Sequence, residues 1–192
     1  QRSIHPSTSV AKPVVRDVHV EDASMSTIGG ASVTIMGSNF GDRINRVDAV
    51  TYGVDGDGIT ARDCTIVVPD TAITCQSVPA VGQTLKWRVS VGGQRSDLSS
   101  PAASYSPPNV TAVRPTGGVP TAGGLLTVVG SEFAHQLAQT RVAAIRVQWG
   151  SAMLDVVSVD ASEIVARAGP GLQRNADLKV SHVVWSADRR SV

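Results

Sequence analysis

Cys64 and Cys75 are the only thiols in the chain, and they stand symmetrically about Pro69-Asp70. A tight hairpin turning at that dipeptide would set them opposite one another on adjacent strands. Cross-strand neighbours have Cβ atoms close enough for a disulfide if the register allows it. So short a closed loop would stabilise by ~2–3 kcal/mol. The other reading is a pair of buried free thiols in a reducing compartment. The hairpin symmetry favours the bridge, and with it an oxidising compartment.

Three further motifs invite chemistry. Asn109-Val110-Thr111 is an acceptor sequon for N-linked sugar at Asn109; the same tripeptide arises by chance, which leaves an unmodified surface Asn as the alternative. The Ser, Thr and Pro residues over 96–108 have the composition of an O-glycosylated stretch. Asp55-Gly56-Asp57-Gly58 opens like a calcium loop, but the twelfth position counted from Asp55 is Ile66 rather than Glu, so the stretch reads as a Gly-rich surface turn. His5, His19, His135 and His182 lack the paired spacing of a zinc site. No metal ligand and no cofactor is expected.

Gly37-Ser38-Asn39-Phe40-Gly41 is not a nucleophile elbow, because its Ser is second rather than central. No Ser-His-Asp set and no phosphate-cradling loop accompanies it. No catalytic residue is expected, and the chain reads as a non-enzyme. Net charge is +1, with acids interspersed among the arginines. That excludes the basic footprint of a nucleic-acid partner. Apolar runs are too short for a membrane-spanning helix, so direct membrane insertion is not expected. Trp87, Trp149 and Trp185 fall in strand-like segments and read as packing residues.

What must position these residues is a repeated element. Gly29-Gly30-Ala31-Ser32-Val33-Thr34-Ile35-Met36-Gly37-Ser38-Asn39-Phe40 is answered by Gly123-Gly124-Leu125-Leu126-Thr127-Val128-Val129-Gly130-Ser131-Glu132-Phe133. Each copy has a glycine pair, a strand with Thr inside it, then Gly-Ser-x-Phe. The two phenylalanines are the only ones in the chain, and each is placed to plug the end of a core. Pro13–Val18 pairs with Pro108–Val113, Tyr52-Gly53 with Trp149-Gly150, and Pro79 with Pro170. The spacing of roughly 95 residues is the size of an immunoglobulin-type sandwich.

Period-two alternation and turn residues predict strands over 14–20, 32–36, 46–52, 65–68, 72–76, 85–91 and 103–106 in the first repeat. The second gives 110–113, 125–129, 144–148, 154–159, 163–167 and 177–184. The one helical candidate is 134–144. Pro107-Pro108 makes a stiff junction. The expected domains are thus 1–12, 13–107 and 108–192. Gln1-Arg2-Ser3 resembles Gln94-Arg95-Ser96, so 1–12 reads as the final strand of a preceding repeat, and 108–192 stops before its own final strand. The simpler reading is a window on a longer tandem array. The sharper one makes Gln1, Arg2, Ser3, Ile4 and Val10 a donor strand for the open sandwich of a neighbouring copy.

The pattern resembles the IPT/TIG family, immunoglobulin-like modules of plexins, Met-type receptors, fibrocystin-like proteins and some transcription factors. The residues that carry it are Pro13–Val18, Gly29-Gly30, Val33–Phe40, Asp70–Cys75, Gly92–Ser96 and Tyr105–Pro108, with Pro108–Pro115, Gly123–Phe133, Asp160–Ile164 and Gly169-Pro170-Gly171 in the second repeat. The second repeat departs from it where Gly-Pro-Gly replaces a Cys-then-Pro segment. The resemblance implies an all-β chain of two tandem immunoglobulin-like β-sandwiches in an extended rod. It implies a non-enzymatic, extracellular or cell-surface structural or adhesive segment, whose partners are neighbouring IPT/TIG repeats or copies of itself joined end to end in a filament. The alternative is a receptor stalk that binds a cell-surface protein or glycan. A nuclear DNA-binding or dimerisation module comes third, disfavoured by the near-neutral charge.

Overall fold

The computed structural model describes residues 11–100, 102–133, 143–171 and 176–184. Among them the regular elements are strands, apart from one 3-10 turn at Ile44–Arg46. The chain forms two compact units. The first comprises Gln1–Glu21, Ser32–Gln76 and Leu85–Ala102; the second comprises Asp22–Ala31, Ser77–Thr84 and Ala103–Val192.

The first unit holds β1 (Val14–Val20), β2 (Ser32–Ser38), β3 (Val47–Gly53), β4 (Ile59–Thr60), β5 (Arg62–Val68), β6 (Ala72–Gln76), β7 (Lys86–Val91) and β8 (Gln94–Arg95). They make two antiparallel four-stranded sheets, ordered β1-β2-β6-β5 and β4-β3-β7-β8. Alternation sets the inner faces. Val33 and Ile35 on β2, Ile73 and Cys75 on β6, and Trp87 and Val89 on β7 are all sealed from solvent. Tyr52 on β3 stacks on Trp87 with ring centroids 4.2 Å apart. A buried aromatic pair of this kind adds about 1 kcal/mol beyond its area.

The second unit holds β9 (Asn109–Arg114), β10 (Gly124–Ser131), β11 (Ala143–Trp149), β12 (Ala152–Val159), β13 (Glu163–Ala168) and β14 (Leu178–Val184), in the order β14-β11-β12-β13-β10-β9. Its core gathers Leu126, Val128, Phe133, Val147, Leu154, Ile164, Ala166 and Ala168. β12 serves both sides of this core. Its residues 152–154 pair with β11 and 155–159 with β13. In the first unit the same job is split: β4 pairs with β3 and β5 with β6, and Ala61 stands between them.

The fourteen strands among the described residues make the chain all-β, with antiparallel sheets of immunoglobulin-like sandwich pairing. Three expectations need correction. The stretch 103–106 is not a strand; Tyr105 makes a single parallel bridge with Met25. Prolines 107 and 108 have no N–H, so no ladder continues past that point. The short strand β4 was not expected, and the start of the strand expected over 46–52 is the 3-10 turn, with β3 beginning at Val47. Most of the helical candidate 134–144 lies outside the described residues, and its last two residues open β11.

Candidate functional site

The repeated element is built the same way in both units. The N–H of Gly37 donates to Thr71 O at 2.8 Å, and that of Gly130 to Ser162 O at 2.9 Å. A Cβ at Gly37 would overlap the Val14 carbonyl and the tip of Phe40; at Gly130 it would overlap the Asn109 carbonyl and the tip of Phe133. Glycine lets the preceding strand and the phenyl ring close over the same point. Phe40 and Phe133 are fully buried. The residue between Ser and Phe then takes a left-handed conformation, φ 63° at Asn39 and 60° at Glu132.

Glu132 gathers several hydrogen bonds in the second unit. Its carboxylate accepts the Thr27 N–H at 2.7 Å, the Thr27 hydroxyl at 2.7 Å and the Ser26 hydroxyl at 3.0 Å. Thr27 is buried. Partial burial pushes the carboxyl up, but the hydrogen bonds from Thr27 and Ser26 outweigh it and hold Glu132 below the usual carboxylate range. The Glu132 carbonyl meets His182 Nε2 at 2.9 Å. A carbonyl only accepts, so Nε2 carries the proton and Nδ1 of the neutral ring is left as an acceptor. Burial holds the His182 pKa down against the pull of Glu132.

His182 also lines a cleft of about 410 Å³ with Gly82, Gln83, Tyr105, Pro107 and Pro108. Its polar groups are hydroxyls, an amide and an imidazole. The Tyr105 hydroxyl already donates to Val78 O at 2.6 Å. The cleft can take a small neutral polar group.

Cys64 and Cys75 form the disulfide, with Cα atoms 4.0 Å apart on β5 and β6. The hairpin turns at Pro69-Asp70 as its symmetry requires, with the Thr71 N–H donating to Val68 O and Asp70 at φ 65°. In the second unit Ala166 pairs with Val156, just past a bulge between Val156 and Ser158 that shifts the register by one. Asn109 is exposed at the start of β9. Asp57 of the Gly-rich turn is paired with Arg95 and, at 3.9 Å, with Arg88. Among the described residues no cluster of acids, His or Cys could hold a metal ion. Gln1, Arg2, Ser3, Ile4 and Val10 lie outside the described residues, as do His5, His135 and Trp185.

Glu132 is the residue that sequence reasoning passed over. Its signal was available: it fills the slot that Asn39 fills in the first copy, and an acid there needs donors.

The IPT/TIG domain model matches residues 13–106 and again 108–189. No curated protein matches the chain. Among solved structures, the chain is similar to the surface glycan-binding protein PbSGBP-B from Prevotella bryantii, at 15% identity and a TM-score of 0.53, over 90% of this chain and 40% of that one. It is also similar to SGBP-B from a complex xyloglucan utilization locus in Bacteroides uniformis, at 16% identity and a TM-score of 0.38, over 91% of this chain and 49% of that one. The plexin A4 extracellular region gives 18% identity and a TM-score of 0.40, over 90% of this chain and 17% of that one. The chain thus spans less than half the length of each. At this identity the first likeness is one of fold.

Proposed function

The chain belongs to the IPT/TIG domain family, and from that membership and the geometry above we propose that it is a non-catalytic structural segment of an extracellular or cell-surface protein. Its partners are neighbouring repeats or further copies of itself. The observation that carries this reading is where the aromatic side chains go. Among the described residues Phe40, Tyr52, Trp87, Tyr105 and Phe133 are buried, and Trp149 is packed against the second core. These rings build sandwiches and, among the described residues, leave no exposed platform on which a sugar ring would stack. The Cys64–Cys75 disulfide supports an oxidising compartment.

A second reading rests on the cleft beside His182, whose amide, hydroxyls and imidazole suit a neutral sugar; PbSGBP-B is, by its name, a surface glycan-binding protein. Calorimetric titration with soluble plant and bacterial polysaccharides separates the two. No saturable heat is expected. Saturable binding that is lost in His182→Ala would replace the structural reading with the glycan-binding one.

A further inference from the structure

Asn109-Val110-Thr111 is the one Asn-x-Ser/Thr tripeptide in the chain. It opens β9, the outermost strand of the second unit's sheet among the described residues. Val110 and Val113 turn inward and pack against the second core, while Asn109, Thr111, Ala112 and Arg114 are exposed. Strict alternation would not put two exposed residues side by side. The ladder supplies the reason: Val129 pairs with Ala112 and Gly130 with Val110, so Thr111 bulges out between them. Both side chains of the acceptor motif therefore stand outside the core. The backbone beneath them is fixed, because Asn109 pairs with Ser131 and its carbonyl fills the space over Gly130. The Thr111 hydroxyl donates to Val129 O at 3.1 Å. The Asn109 amide meets no hydrogen-bond partner among the described residues, so a group added to its nitrogen displaces no native contact.

The first copy is built differently at this point. Val14 takes the place of Asn109: its carbonyl lies over Gly37 as that of Asn109 lies over Gly130. It has no side-chain nitrogen to modify. Two residues earlier, Lys12 donates to Asp97 at 2.6 Å, and its carbonyl accepts the Asn39 amide at 2.9 Å. In the second copy Pro107 stands where Lys12 does. Glu132, in the slot of Asn39, turns instead to Ser26 and Thr27. Neither tie is present at the entry to β9, which leaves room about Asn109.

We propose that Asn109 carries an N-linked oligosaccharide, joined in an oxidising secretory compartment. The Asn109 amide nitrogen attacks the anomeric carbon of an oligosaccharide held on a lipid pyrophosphate. A C–N bond forms and the C–O bond to the pyrophosphate breaks. The lipid pyrophosphate leaves with that electron pair, and one amide proton passes to a base of the transferase. Thr111 supplies the hydroxyl that the acceptor motif requires. In the unfolded chain that hydroxyl is free to be read. In the folded chain it returns to Val129 O, and the sugar stands on an exposed side chain.

This rests on the extracellular reading above, and different peptides report on the two. The full chain is secreted from eukaryotic cells behind a cleavable leader, and its peptides are analysed by mass spectrometry. The Asn109 peptide should carry hexose and N-acetylhexosamine mass. An amidase that releases N-linked sugars should act on the native protein and leave Asn109→Asp. Asn109→Gln and Thr111→Ala should each lose the heavier form completely, whereas Thr111→Ser keeps the hydroxyl and should retain it. Circular dichroism should be unchanged in all three, because both side chains are exposed. A wild-type Asn109 peptide without sugar overturns the proposal, as does a sugar that survives Thr111→Ala or one that the amidase reaches only after denaturation. Alkylation of the Cys64 and Cys75 peptides reports on the compartment. A bridged chain with bare Asn109 ends the proposal and leaves the extracellular reading standing. Free thiols beside a glycosylated Asn109 uphold the site and remove the disulfide's support for that reading.

Discussion

Asn39 and Glu132 occupy one slot in two copies of the same element, at φ 63° and 60°. Around them the backbone is built alike. Each copy has a glycine pressed under the strand before it, a buried phenylalanine three residues on, and the glycine N–H bonded into the turn ahead of a paired strand. The side chains then diverge. Asn39 Nδ2 donates to the Lys12 carbonyl at 2.9 Å, in exposed surroundings. Glu132 collects three donors from Ser26 and Thr27, two of them on buried Thr27. The difference separates what the sandwich requires from what a particular copy uses. Glycine and phenylalanine are dictated by close approach and by a core end that must be filled. The residue between them is free to bond whatever segment passes over it.

The largest effects should therefore come where the copies agree. Phe40→Ala and Phe133→Ala each empty a sealed site, and each should cost about 3–5 kcal/mol. Gly37→Ala and Gly130→Ala push a Cβ into a backbone carbonyl that cannot move aside, and each should cost roughly 3 kcal/mol. Hydrogen exchange under native conditions resolves the two units, so each loss can be assigned to its own. Equal costs in the two units are expected. A Gly130→Ala chain as stable as wild type would break the equivalence of the copies.

The disulfide is where the copies part covalently. Cys64 and Cys75 tie β5 to β6, while Val156 and Ala166 hold the matching place in the second unit by packing alone. Replacing both cysteines with Ser should lower the stability of the first unit by about 2–3 kcal/mol, the effect of opening a short loop. Protection in the second unit should not change. Mass measurement after alkylation, with and without reductant, checks the starting state: no label is expected before reduction and two labels after it.

Much of this was legible from spacing. The strand over 72–76 has the bounds expected, and the bridge followed from two cysteines symmetric about a Pro-Asp turn. Alternation marks a half-buried strand because side chains change faces at every residue. What counting could not find was the bulge between Val156 and Ser158, which moves the partner of Ala166 by one position without any mark in composition. Tyr105 was read as part of a strand on alternation over 103–106, yet its pairing is an isolated bridge to Met25 and no ladder continues into the prolines. Glu132 was missed for another reason. Its donors lie more than a hundred residues earlier, in a segment whose own sequence shows no pattern.

The smallest and most selective effect lies in the slot itself. Glu132→Ala leaves the buried Thr27 N–H and hydroxyl without an acceptor, which should cost the second unit about 1–3 kcal/mol. Asn39→Gly removes one exposed hydrogen bond and relieves a left-handed residue at once, so it should stay within about 0.5 kcal/mol of wild type. Acid should sharpen the contrast. Glu132 titrates below its ordinary value of 4.5 in the folded chain. Its contribution is then complete above 4.5 and is lost as pH falls through the lower folded value. His182 acts in the same direction in a higher window: its folded pKa lies below 6.5, so protonation begins to favour unfolding as pH falls beneath that point. Denaturant unfolding from pH 7 down to about 3 should show the second unit losing stability in two stages. Glu132→Gln should remove the lower stage and leave the upper one. Asn39 cannot titrate, so no stage in the first unit traces to this slot. An unchanged acid profile in Glu132→Gln would mean that the carboxylate is not what holds Ser26 and Thr27.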